Sequence, residues 1–162
     1  MNQNIPNAGH KTERECVCFC VTGRFALSLM LLAAPLAAQP RPNFSGTWKL
    51  DESAGPSSAT GAHNVVFQIK HKEPAFSYFA TGRRSSNDTF QESFRFTTDG
   101  RQPDPATVGI AGMWEGDALA LHYMRGGKEM AKITLRLSSD GKRMYRTGQV
   151  GGRQIREVYD KQ

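Results

Sequence analysis

The sequence predicts an all-β protein, an up-and-down antiparallel β-barrel of about eight to ten strands. Three observations carry that prediction. From residue 39 onward, apolar and polar residues alternate with period two, and no apolar stripe recurs at i, i+3, i+4 as a helix would need. Turn signals punctuate the second half at short, regular intervals. The folded part opens on NFSGTWKLD, with Gly46 and Trp48 two apart on what reads as the first strand.

In NVVFQIKHK, Val65, Phe67 and Ile69 share one face, opposite Gln68, Lys70 and Lys72. In TFQESFRFTT, Phe90, Phe94 and Phe96 face away from Gln91, Ser93 and Arg95. EMAKITLRLSS repeats the device, with Ala131, Ile133, Leu135 and Leu137 against Lys132, Thr134 and Arg136. One apolar face per strand is the pattern of an antiparallel sheet with one side buried. TDGR (98–101), EGD (115–117), GGK (126–128), SDGK (139–142) and GGR (151–153) supply the positive φ angles of short hairpins. Strands joined in sequence by hairpins form a meander, and closing it removes the exposed edges. ESAGPSSATGAH (52–63) is the longest irregular connection and belongs at one end of the barrel.

The chain has 162 residues, 38% of them hydrophobic, and a formal charge of +6. One domain is expected from 39 to 162. Residues 1–38 read as a secretory signal with an atypical polar extension. Arg24 precedes an apolar run from Phe25 to Leu36 and then small residues, with cleavage after Ala38. The run is too short for a spanning helix, which needs about 20 residues. The expected location is therefore periplasmic or secreted. All three cysteines, Cys16, Cys18 and Cys20, fall in the extension. Their spacing lacks the two-residue gap of zinc ligands. They leave with the signal, or translation starts later, and the mature domain must be stable without disulfides. No metal and no cofactor are expected.

Gly46 lets the first strand bend and another backbone approach, and Trp48 then plugs the closed end. A cation could cross its indole face, with Arg153 and Arg156 on the last strand as the candidates. FSGTWKL resembles the opening of the calycin superfamily: Gly46-Thr47-Trp48 matches the lipocalin G-x-W motif, and the longer phrase is similar to the start of fatty-acid-binding proteins. REVYDKQ (156–162) resembles the last strand of the latter group. Taken whole, residues 42–162 look like small exported bacterial lipocalin-like proteins. The resemblance implies a lipocalin-like barrel that carries a small apolar or amphipathic molecule. Two departures stand out. Gln102 falls where lipocalins carry the tyrosine of T-D-x-x-Y, and Glu157 stands where fatty-acid-binding proteins place an arginine two before Tyr159. Glu157 would repel a fatty-acid carboxylate held in that manner, and no helix pair follows the first strand to form a lid.

The inward aromatic and aliphatic residues either line a cavity or fill the barrel, which a set of about eight strands can do. On the cavity reading, Phe67, Phe94, Trp114, Leu121 and Tyr123 line the site, and Arg146 and Tyr159 are its polar anchors. Gly46, Trp48 and Arg156 are structural. Alternation also places Glu92 and Glu157 inward, where a charge needs a partner or water. Catalysis has little support: no nucleophile elbow or phosphate loop is present, and His63, His71 and His122 are scattered. An enzyme would need His122 or Glu92 to converge with a second titratable group inside the barrel. The basic turn GRRSS (82–86) reads as solvated, or as the contact surface of a filled barrel that binds another envelope protein. Nucleic acid is not an expected partner, because basic residues are not interleaved with exposed aromatics. A monomer is expected.

Overall fold

The computed structural model describes residues 40–54 and 61–162. The signal segment, its cleavage site and the three cysteines lie outside the described residues. Nine strands follow in order: β1 (Gly46–Leu50), β2 (His63–Lys72), β3 (Ala75–Arg83), β4 (Thr89–Thr97), β5 (Val108–Glu115), β6 (Ala118–Arg125), β7 (Lys128–Leu137), β8 (Arg143–Val150) and β9 (Arg153–Lys161). They form a single antiparallel sheet in the order β4-β3-β2-β1-β9-β8-β7-β6-β5. The sheet curls into a nearly closed barrel, in which β1 is stitched to the last strand by Trp48 opposite Lys161 and Leu50 opposite Tyr159.

The alternation read from the sequence sets the two faces. Val65, Phe67 and Ile69 of β2, Phe76 and Tyr78 of β3, and Ile133 and Leu135 of β7 are all buried. The intervening Gln68, Lys70, Lys132 and Arg136 are exposed or bonded to surface acids. Four hairpins form where glycine was expected to turn the chain. The paired glycines at 126–127 and 151–152 carry φ values of 60°, 70°, 56° and 80°, which side-chain-bearing residues rarely adopt.

The Asp99-Gly100 pair does something else. It does not join two adjacent strands but begins a connection from the foot of β4 back to the head of β5. Asp99 bridges Met113, and the Gly100 N–H donates to the Gly112 carbonyl at 2.8 Å. Pro103 then packs on Gly109, where a Cβ would come within 2.4 Å of the ring. Prolines suit such an edge, because they have no N–H to leave unpaired. This segment narrows the gap between β4 and β5, the two strands that share no ladder. Gly112 lets them approach: a Cβ there would lie 2.7 Å from the Phe96 ring and 2.9 Å from the Thr97 carbonyl.

Candidate functional site

The interior has a filled half and an open half. In the filled half, Phe76, Leu121, Leu135 and Met144 pack around a residual void of about 10 Å³. Beyond them the end is closed by Phe44 and Trp48, both fully buried, with the indole N–H of Trp48 donating to the Phe44 carbonyl at 2.9 Å. Trp48 thus plugs the closed end. The cation over its ring is Lys161, whose Nζ lies 5.2 Å from the ring centroid. That corrects the expectation of Arg153 or Arg156. Arg156 is exposed, because it alternates with the buried Ile155 and Glu157 and so points outward. Gly46 makes room for a side chain rather than a backbone: a Cβ there would lie 2.9 Å from Lys161 Cε.

Glu73, in the β2–β3 turn, gathers the closed end. Its two oxygens accept hydrogen bonds from Thr98 Oγ1 (2.7 Å), the Trp114 indole N–H (2.9 Å), His71 Nε2 (2.9 Å) and Arg41 Nη1 (3.2 Å). His71 Nδ1 accepts the Phe44 N–H at 3.3 Å, so the ring is the tautomer that carries its proton on Nε2. Burial raises the Glu73 pKa, but these four donors outweigh it and hold the carboxyl below its ordinary value. Nothing in the pattern of β2 announces this cluster, since Glu73 belongs to a turn and its donors come from four separate stretches.

The open half is a cavity of about 600 Å³. Its mouth lies among the β3–β4, β6–β7 and β8–β9 turns and the start of β5. Val108 and Met130 stand at the rim, 57% and 61% exposed, beside Arg84 and Arg125. Phe67, Val65, Phe90, Ile133 and Ile155 make most of the wall.

Of the residues expected to line a site, Phe67, Tyr123, Arg146 and Tyr159 do border this cavity. Phe94, Trp114 and Leu121 do not. Phe94 lies behind the wall, tilted against Tyr78 and edge-on to Tyr123 at 5.7 and 5.9 Å. Trp114 sits at the closed end, 6.1 Å from the Phe44 ring, with Arg41 over its face. Leu121 belongs to the filled half. Alternation identifies the inward face, but it carries no information about depth along the barrel.

Two polar chains cross the cavity wall. Glu157, on β9, is 4% exposed and faces Arg146, its register partner on β8. Arg146 Nη1 donates to Glu157 Oε2 at 2.7 Å, and the Tyr159 hydroxyl donates to the same oxygen at 2.8 Å. The guanidinium also lies 5.9 Å from the centre of the Phe67 ring. Burial opposes the Arg146 charge, but the acidic groups of Tyr123, Glu157 and Tyr159 around it keep its pKa above the ordinary value. Burial, and then the Glu157 charge, push the Tyr159 hydroxyl well up, so it remains a donor.

The second chain starts at Glu92 on β4. The Tyr78 hydroxyl donates to Glu92 Oε1 at 3.2 Å and lies 3.0 Å from the Tyr123 hydroxyl. Tyr78 has one hydrogen to give, so Tyr123 donates to Tyr78. Burial first, then Tyr123 and Glu92, raise the Tyr78 pKa far above a free phenol's. The part of Tyr78 in this chain depends on partners from β4 and β6, which no local pattern in β3 announces.

His122 lies on the outward face of β6, alternating with the inward Leu121 and Tyr123, and its Nδ1 is 2.6 Å from Glu129 Oε2. Glu92, by contrast, does meet a second titratable group inside the barrel, the Tyr78 hydroxyl. Among the described residues, no three His, Cys, Asp or Glu side chains gather in a metal-holding group.

The geometry has counterparts among solved structures. The chain is similar to the REP1-NXSQ fatty acid transporter, at a TM-score of 0.51 and 16% identity, over 74% of this chain and 96% of that one. It is similar to the fluorescent protein UnaG at a TM-score of 0.52 and 15% identity, over 74% of this chain and 97% of that one. The nearly closed antiparallel barrel is the architecture these proteins share with this chain. At these identities the likeness speaks for the fold alone. No protein-family model matches the sequence, and no curated protein is similar to it.

Proposed function

We propose that the protein is an exported, monomeric carrier that holds an apolar or amphipathic small molecule in the open half of its barrel and does no chemistry on it. The observation that supports this reading is the cavity of about 600 Å³, which opens at one end and is walled mainly by apolar side chains. Small-molecule sites commonly have volumes of about 300–1,000 Å³, apolar walls and a few placed polar groups. A similar barrel belongs to a protein described as a fatty acid transporter. The leader-like order of residues 24–38 supports export. The titratable group that meets Glu92 is the Tyr78 phenol, whose pKa burial raises far above a free phenol's, so the pair supplies no second proton-transfer group near neutral pH and favours binding over catalysis.

Native mass spectrometry of the protein purified from the periplasm of a bacterial host tests this reading. The expected result is a lipid-sized mass that disappears on denaturation, or, for an empty preparation, uptake of fluorescent fatty acids or hydrophobic dyes. A protein that carries no added mass and takes up none of these probes is not a carrier.

A further inference from the structure

On the reading that the cavity binds a ligand, we infer that the ligand it prefers is a cationic amphiphile, such as a protonated long-chain amine, whose head meets Glu92.

The inner wall of the cavity carries three charged side chains: Glu92, Glu157 and Arg146. Arg146 and Glu157 neutralise each other at 2.7 Å, so neither offers a net charge to a visitor. That leaves Glu92. Its recorded partner is the Tyr78 hydroxyl, which supplies a hydrogen bond but no charge. None of the ion pairs among the described residues includes Glu92.

The hydroxyls around it tell the same story. Tyr159 gives its hydrogen to Glu157, and Tyr123 gives its own to Tyr78, which is already donating to Glu92, so the two hydroxyls on the cavity wall present only lone pairs. A carboxylate head would face one uncompensated negative charge and a row of acceptors. An ammonium head would find an anion and acceptors together. Arg146 keeps further N–H groups beyond the one given to Glu157, so a hydroxyl next to the ammonium could also be held. The other cations of the cavity stand at the rim: Arg125, and Arg84 with its guanidinium 5.6 Å from the Phe90 ring centre. Arg84 follows the last residue of β3, and Phe90 lies two residues from Glu92 on the same face of β4. A head at Glu92 sits further from the β3–β4 turn than Phe90 does, and Arg84 is a cation that competes with it for the carboxylate.

Three probes of equal chain length separate the possibilities: dodecylamine, dodecanol and dodecanoate, titrated at pH 7 against the purified protein by calorimetry. The amine should bind at least about tenfold tighter than the alcohol, which is about 1.4 kcal/mol, and dodecanoate should bind more weakly than either. Glu92→Gln keeps the shape and an acceptor for Tyr78, and it should remove the amine's advantage over the alcohol. If dodecanoate binds tightest, and loses that advantage in Arg84→Gln, the head sits at the rim and the inference is wrong. Equal affinities of the amine and the alcohol for the unsubstituted protein also overturn it, even if Glu92→Gln fails to fold. Binding of none of the three would instead overturn the carrier reading itself.

Discussion

Arg146 and Glu157 face each other across β8 and β9 inside the barrel, 2.7 Å apart, and the Tyr159 hydroxyl closes on the same carboxylate oxygen. The sequence shows both charges on an inward face, Arg146 as a polar anchor and Glu157 as a charge that needs a partner or water. Together they leave little for a ligand to take. Glu157 stands where a fatty-acid-binding protein would offer arginine, and its first effect is to cancel the arginine this chain does have. On the inner wall the pair satisfies its own charges, and the basic Arg84 and Arg125 stand at the mouth.

The pair is also a point of vulnerability. Removing one partner of a buried ion pair costs about 3–5 kcal/mol, because the other charge stays behind uncompensated. Arg146 retains 17% side-chain exposure toward the cavity, where water screens it, so the lower end of that range applies. Glu157→Leu is expected to lower unfolding stability by about 3 kcal/mol, and Arg146→Met in the same chain should recover much of it. Urea unfolding of the single and double variants checks both. A double variant no more stable than Glu157→Leu would mean the loss comes from packing and not from the orphaned charge.

Glu73 gives the acid limb of stability its sign. Its folded-state pKa lies below the ordinary 4.5, so its contribution is fully present above about pH 4.5 and is lost as the pH falls through the lower, folded value. Glu73→Gln leaves four donors competing for one oxygen. The side chain is 35% exposed, so a discounted cost of roughly 1–2 kcal/mol at pH 7 is expected. The gap between the two proteins should then narrow below pH 4. Thermal unfolding at pH 7, 5 and 3 measures it, and a gap that stays constant would show that the charge on Glu73 plays no part.

How far the sequence spoke depended on range. Period-two alternation in β2, β4 and β7 and the glycine turns at 126–127 and 151–152 are local signals, and they gave a meander of about eight to ten strands, nine in the structure, and its inward face. The connection after β4 escaped, because Asp99-Gly100 looks like any hairpin turn. What makes it a return segment is its contact with Met113 and Gly112, more than ten residues away. Depth escaped for the same reason. Phe67 and Leu121 are both inward and apolar, and only the register of the whole barrel puts one at the cavity and the other in the filled half. Glu73 escaped entirely, since its four donors converge only after closure.

Gly46 shows how a correctly singled-out residue can matter for a different reason. Its φ of 142° lies in a region that L side chains rarely adopt, and a Cβ would also press on Lys161 Cε at 2.9 Å. These two costs can be separated. Cε is near the end of a flexible side chain and can move aside, whereas the backbone angle is fixed by pairing with β2 opposite Ile69. Strain should therefore dominate, at roughly 1–3 kcal/mol for Gly46→Ala. Lys161→Ala alone should cost about 1 kcal/mol or less, the worth of an exposed cation over an indole. If the backbone is the cause, Gly46→Ala costs nearly the same with or without Lys161, and the two losses add. If the contact is the cause, Lys161→Ala rescues Gly46→Ala. Denaturant midpoints of the four proteins in that cycle distinguish the two, and additivity within about 0.5 kcal/mol is the expected result.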